Sequence, residues 1–149
     1  MHALGWHVQL HKTGEQIVTH AAMIERLPSA IVIDHMGRFP QPQGPAHPAF
    51  EVVRRLVDRG DVWVKISGAY LDSKTGGPAW EDVARSARAL IAAAPQRLVW
   101  GTDWPHPTER EAKPDDAQFF DRLADWTPDE DTRRRILVDN PAQLYGFPK

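Results

Sequence analysis

The sequence predicts an α/β fold in which four parallel strands are each followed by a loop and a helix. Three observations predict it. Short apolar runs rich in β-branched residues recur along the chain, each followed by a polar loop and an amphipathic stretch. The run Ala30-Ile31-Val32-Ile33 is apolar throughout, as a parallel strand covered on both faces requires. No low-complexity segment or linker divides the 149 residues, so residues 1–149 read as one domain. Repeated βα units imply right-handed crossovers, and four such units are half of an eight-unit barrel. An open doubly wound sheet is the other arrangement with this pattern. No Gly-x-Gly-x-x-Gly fingerprint, phosphate loop or zinc-protease motif follows any strand, however.

Each element follows from local pattern. The first strand is expected from Trp6 to Leu10, and a helix from Glu15 to Arg26 with Ile17, Met23, Ile24 and Leu27 on its apolar face. Pro28 stops that helix, and the second strand, 30–33, runs into a Pro- and Gly-rich loop through 40–48. A helix over Pro48–Arg59 starts on a proline suited to a first turn. The third strand is Val62–Ile66, its loop 67–78 and its helix 79–93. The fourth strand, Arg97–Trp100, leads through a rigid loop to helix 115–126, with Phe119, Phe120, Leu123 and Trp126 inward. Thr127-Pro128-Asp129-Glu130 reads as a capping box for a last helix to Val138, and Asn140-Pro141 restarts a short turn ending near Gly146.

Composition narrows the function classes. A formal net charge of −2 and 42% hydrophobic residues describe neither a nucleic-acid nor a membrane-surface binder. The absence of cysteine excludes disulfides, thiolate nucleophiles and Cys-ligated metals. No stretch is apolar enough to cross a bilayer and no signal peptide is visible, so a cytoplasmic location is expected by default.

Parallel strands bring their C-terminal ends to one rim, and every predicted strand end carries a chemically useful group. In the run 99–107, Asp103 and His106 stand where a buried strand meets a turn stiffened by Pro105 and Pro107. Asp103 suits a general base toward water, or the cap of a turn. His106 suits a gate or a substrate contact. His35, squeezed between Asp34 and Met36-Gly37, suits a metal, a substrate carbonyl or a structural bond to Asp34. Arg38 offers a fork for a substrate carboxylate, or an ion pair with Asp34 or another rim acid. His11 could complete a metal site or steady a leaving group, and Tyr70 could hold a substrate oxygen or pack its loop. Lys65 alternates with Val64 and Ile66, so it either pairs inside a barrel with an acid such as Asp103 or ties the sheet together.

Four stretches together resemble one family: Trp6–Leu10, Ile33–Arg38, Val64–Tyr70 and Trp100–Pro107. They resemble the amidohydrolase-related TIM-barrel hydrolases, in particular the 2-pyrone-4,6-dicarboxylate lactonase-like branch. The closing Asn140–Phe147 is similar to that family's C-terminal signature. The resemblance implies strands five to eight, the C-terminal half of a (β/α)8 barrel with C-terminal helices. It implies a hydrolase acting on a lactone or related carboxylic ester. Asp103 would activate water, His35 would match the strand-six histidine, and Arg38, Tyr70, His106 and His11 would contact a carboxylate-bearing substrate. The cofactor is either none or one divalent metal such as zinc, held by His11, His35 and Asp103. A metal-dependent decarboxylase and a catalytically inactive half-barrel are the alternatives. Leu71 stands where lactonase-like members often carry arginine, and no His-x-His pair is present. A half-barrel exposes two strand edges and a bare inner face, so self-association or association with a missing N-terminal half is expected.

Overall fold

The computed structural model describes residues 2–147. The elements are β1 (Val8–Leu10), α1 (Gly14–Ile24), β2 (Ile31–Ile33), α2 (Pro48–Val57), β3 (Val62–Ile66) and α3 (Glu81–Ala93). They continue as β4 (Leu98–Trp100), α4 (Asp116–Trp126), α5 (Glu130–Arg134), a π-helical turn (Arg135–Asp139) and α6 (Asn140–Tyr145). The sheet order is β1-β2-β3-β4 and every pairing is parallel, with Leu10, Ile33, Val64 and Leu98 in one row. Four parallel strands in chain order, each followed by a helix, are the α/β architecture of half a (β/α)8 barrel.

Alternation along the strands sorts residues between two faces. Ile31, Ile33, Val62, Val64, Ile66 and Leu98 join the main core with Ile17 and Ile24 of α1, Val53 and Leu56 of α2, Ala87 and Leu90 of α3, and Phe119 and Leu123 of α4. On the inner face Val32, Trp63 and Val99 are buried against Leu144 of α6, and the Arg97 guanidinium lies 4.7 Å from the Trp63 ring centre. The inner face is therefore not bare as expected: α6 covers its apolar layer. One end of α6 is tied to β4, because the Asn140 side chain donates to the Pro95 and Leu98 carbonyls at 2.8 and 2.6 Å.

Several local expectations need correction. β1 starts at Val8, and Trp6 is exposed. Met23 and Phe120 are exposed too, because the buried stripe of α1 runs through Ile17 and Ile24, and that of α4 through Phe119, Leu123 and Trp126. The cap of α5 is Asp129, whose carboxylate accepts from the Thr132 N–H at 2.8 Å. Thr127 instead ends α4, donating its N–H to Leu123. The last helix does not stop at Val138. The chain passes through the π turn into α6, with Pro141 in its first turn, where a missing N–H costs nothing.

Asp82 pins the loop between β3 and α3. It accepts from the Ser73 and Thr75 hydroxyls and from the Lys74 and Val83 N–H groups at 2.6–3.0 Å. Burial alone would raise its pKa, but these four donors outweigh burial and bring it down to about 2 from 3.8. Folding therefore favours the carboxylate. The resulting stabilisation, on the order of 2 kcal/mol, is present above about pH 4 and is lost as pH falls toward 2. Asp82→Asn should flatten that acid limb of the stability profile, read from urea midpoints between pH 2 and 5; an unchanged limb would refute the assignment.

Candidate functional site

The C-terminal strand ends open onto a cavity of about 410 Å³ lined by Gln9, His11, Asp34, His35, Lys65, Ser67, Asp103 and Trp104 among others. The sheet register explains this gathering. Ile33 pairs with Val64 and Val64 with Leu98, so Asp34, Lys65 and Val99 lie level on the inner face. Lys65 Nζ reaches Asp34 Oδ1 at 2.9 Å, and Gln9 Nε2 donates to both Asp34 oxygens at 2.9 and 3.0 Å. Lys65 thus pairs with Asp34 rather than Asp103. Gly101 leaves room for it, since a Cβ there would stand 3.1 Å from the Lys65 Cδ.

His35 is 6% exposed, and its Nδ1 is 2.8 Å from the Ser67 hydroxyl. Its Nε2 faces Asp103 Oδ1 at 3.6 Å, and the His11 ring meets it edge-on, with centroids 4.7 Å apart. Burial lowers the pKa of His35 against the opposing pull of Asp103 and Asp34, so the ring is neutral near pH 7. The other Asp103 oxygen accepts the Tyr70 hydroxyl at 2.7 Å. Burial, and then the adjacent carboxylate, raise the Tyr70 phenol well above its ordinary value, so it stays a donor.

The backbone at these strand ends is left-handed at non-glycine residues. His35, Met36 and Arg38 after β2 have φ of 51, 55 and 47°, and Asp103 and His106 after β4 have 75 and 56°. Such conformations cost about 1–3 kcal/mol each and gather where a site must hold side chains in fixed directions. Gly68, at φ 58°, sits under His35, and a Cβ there would lie 2.7 Å from His35 Nδ1 and 2.8 Å from a Leu71 methyl. Gly68→Ala is expected to destabilise by about 2 kcal/mol and to displace His35 from Ser67. Denaturant midpoints and the histidine ring shifts in NMR would check it; an unmoved His35 resonance would refute it.

The remaining expected site residues are placed differently. Arg38 gives Nε and Nη2 to the Asp72 carboxylate at 3.1 and 3.0 Å. This is the rim ion pair, with Asp72 as the acid, and only Nη1 is left, 3.5 Å from His11 Nε2. His106, expected as a substrate contact, is 3% exposed. It lies behind Tyr70, with Nδ1 3.3 Å from the phenol oxygen and Nε2 3.0 Å from Asp116 Oδ1, so it reaches the cavity only through that ring. A second hollow of about 440 Å³ lies on the far side of Tyr70, between the loops after β3 and β4. Ser67, Asp72 and Asp116 are the partners that sequence reasoning missed. Ser67 had a readable signal, since it directly follows a strand adjacent to that of His35.

His11, His35 and Asp103 lie beside one another, with His35 Nε2 and Asp103 Oδ1 3.6 Å apart and the His11 and His35 ring centres 4.7 Å apart. Among the described residues no group of three or more His, Cys, Asp or Glu side chains is placed to hold a metal. The His35 Nδ1 is 2.8 Å from the Ser67 hydroxyl, which leaves Nε2 facing Asp103, and His11 Nε2 lies 3.5 Å from Arg38 Nη1. What the site offers is a carboxylate with one oxygen held by a phenol and the other turned toward a neutral imidazole.

Known proteins share this framework. The chain is 38% identical over 146 residues to D-galactarolactone isomerase of Agrobacterium fabrum, covering 97% of this chain and 50% of that protein. It is 39% identical over 145 residues to 4-sulfomuconolactone hydrolase of Hydrogenophaga intermedia, covering 96% and 48%. A ligand-free crystal structure of an Agrobacterium tumefaciens protein superposes with a TM-score of 0.86 at 37% identity, over 97% of this chain and 51% of that one. The chain therefore spans about half the length of the curated relatives it matches. The amidohydrolase family model matches residues 1–147, through all four strands and the closing helices, and the chain belongs to that family.

Proposed function

We propose that the chain supplies the base-bearing half of a lactone hydrolase, acting on a lactone or related carboxylic ester that carries a carboxylate. The observation that supports this most is the setting of Asp103: Tyr70 holds one oxygen at 2.7 Å, and the other faces His35 at 3.6 Å beside the cavity. A water against the free oxygen gives its proton to Asp103 as its oxygen adds to the ester carbonyl carbon. The ring C–O bond then breaks, the leaving oxygen takes a proton, and a hydroxy acid results. In the tautomer whose Nδ1 accepts from the Ser67 hydroxyl, the neutral His35 carries its proton on Nε2 and can direct it at the carbonyl or the incoming water. Arg38 Nη1, beside His11, offers the cation for the carboxylate, with Asp72 fixing the guanidinium. His106 Nδ1, 3.3 Å from the phenol oxygen, steadies Tyr70 from behind.

The relative named 4-sulfomuconolactone hydrolase supports lactone hydrolysis, and the one named D-galactarolactone isomerase supports a lactone substrate. Among the described residues β1 and β4 have one strand neighbour each, so the cavity is open at its sides. The test is proton release from carboxylated lactones in a pH-stat, with the chain assembled into a closed barrel and Asp103→Asn as comparison. Equal rates from the two proteins would overturn the reading.

A further inference from the structure

We propose that Ser67 is a positioning residue for the reaction. Its buried hydroxyl gives its only proton to His35 Nδ1 and so holds that imidazole as the tautomer protonated on Nε2. His35 is then a donor toward the cavity and not a second base. This division of roles rests on the reading of Asp103 as the base, and it decides which of two groups 3.6 Å apart takes the proton from water. His35 follows β2 by two residues and Ser67 follows β3 directly. Both are middle strands of the sheet, each with a strand on either side, so this chain alone walls the contact. Ser67 is 0% and His35 6% exposed, and the serine Oγ stands 2.8 Å from Nδ1.

Two separate counts of protons converge on this tautomer. The first starts from the serine. A buried hydroxyl needs an acceptor for its proton, and among the described residues His35 Nδ1 is the only hydrogen-bond partner of the Ser67 Oγ. Were Nδ1 protonated, it would donate to Oγ and leave the hydroxyl proton without an acceptor at a position with no exposed surface. The second count starts from the other end of the ring. There Nε2 faces a carboxylate oxygen of Asp103, which only accepts. A neutral ring protonated on Nδ1 would turn a bare lone pair toward that oxygen, whereas one protonated on Nε2 turns a donor. Gly68 makes the contact with the serine possible. A Cβ there would lie 2.7 Å from Nδ1 and 3.1 Å from Cγ, so the missing side chain lets the ring lie against Ser67. With the tautomer held, Asp103 accepts the proton of water, and the Nε2–H gives its hydrogen bond to the oxygen on which negative charge builds.

Nitrogen NMR of the labelled chain at about pH 8, above the ordinary imidazole range, reads the tautomer directly and needs no substrate. Among the seven histidines, the His35 signals are those lost in His35→Gln. In the wild type, Nδ1 is expected at the shift of a bare ring nitrogen and Nε2 at that of a protonated one. Ser67→Ala, with an unchanged circular dichroism spectrum, should draw the two shifts toward each other as the tautomers mix. Ser67→Thr keeps the hydroxyl and should keep the wild-type pattern. A wild-type proton on Nδ1 overturns the proposal. So does a folded Ser67→Ala that retains the wild-type pattern, or a folded Ser67→Thr that loses it. Failure of the hydrolase reading shows elsewhere, as unchanged proton release by Asp103→Asn, and leaves these nitrogen shifts as they are.

Discussion

Asp103→Asn is expected to lower kcat for lactone hydrolysis by about a hundred- to ten-thousand-fold, the share a positioned general base contributes. The substitution isolates basicity. An asparagine carbonyl still accepts the Tyr70 hydroxyl now held at 2.7 Å, and asparagine tolerates the left-handed backbone at φ 75° that position 103 requires. Shape, loop and substrate contacts stay, so KM should change little while kcat collapses. Tyr70→Phe should cost only about tenfold, because it removes one hydrogen bond to the base and leaves the base itself. A kcat for Asp103→Asn within twofold of wild type, in a folded protein, would remove Asp103 from the mechanism.

The second large effect concerns folding. Lys65→Met is expected to destabilise the protein by about 3 kcal/mol, because it leaves the Asp34 carboxylate, 9% exposed, with only the Gln9 amide. The double variant Asp34→Leu/Lys65→Met should recover most of that loss, since two apolar side chains meet where a charge pair stood. Denaturant midpoints for the two singles and the double form a cycle. A coupling below about 0.5 kcal/mol would mean that the pair behaves as an exposed one.

Much of this architecture was legible from side-chain type alone. Apolar runs, continuous in the second strand and interrupted by His7, Gln9 and Lys65 in the first and third, located all four strands, and the third matches Val62–Ile66 at both ends, because Gly60 and Ser67-Gly68 bound it. The convergence of Asp34, His35, Lys65 and Asp103 followed from parallel strands having a common rim. Partner choice was not legible. Lys65 could reach either Asp34 or Asp103, and only register, which puts residue 34 level with 65, decides between them. Arg38 was open to substrate or acid until the loop after β3 brought Asp72 to its fork. His106 looked accessible because prolines flank it, yet the turn rotates its ring inward against Tyr70. Phe120 borders the apolar stripe of α4 by one position, and a short helix does not reveal its rotation; the ring ends exposed against Trp100.

The left-handed residues at the ends of β2 and β4 have a consequence for laboratory evolution. Glycine adopts that backbone without strain, so Asp103→Gly removes a steric penalty, whereas Met36→Gly would empty a buried core position and Arg38→Gly would break the ion pair to Asp72. A library screened for heat resistance alone would be drawn toward glycine at position 103 and would lose the carboxylate with it. Thermal selection and catalytic selection thus pull the same codon in opposite directions, and stabilising campaigns on this scaffold should hold positions 35–38 and 103–106 fixed.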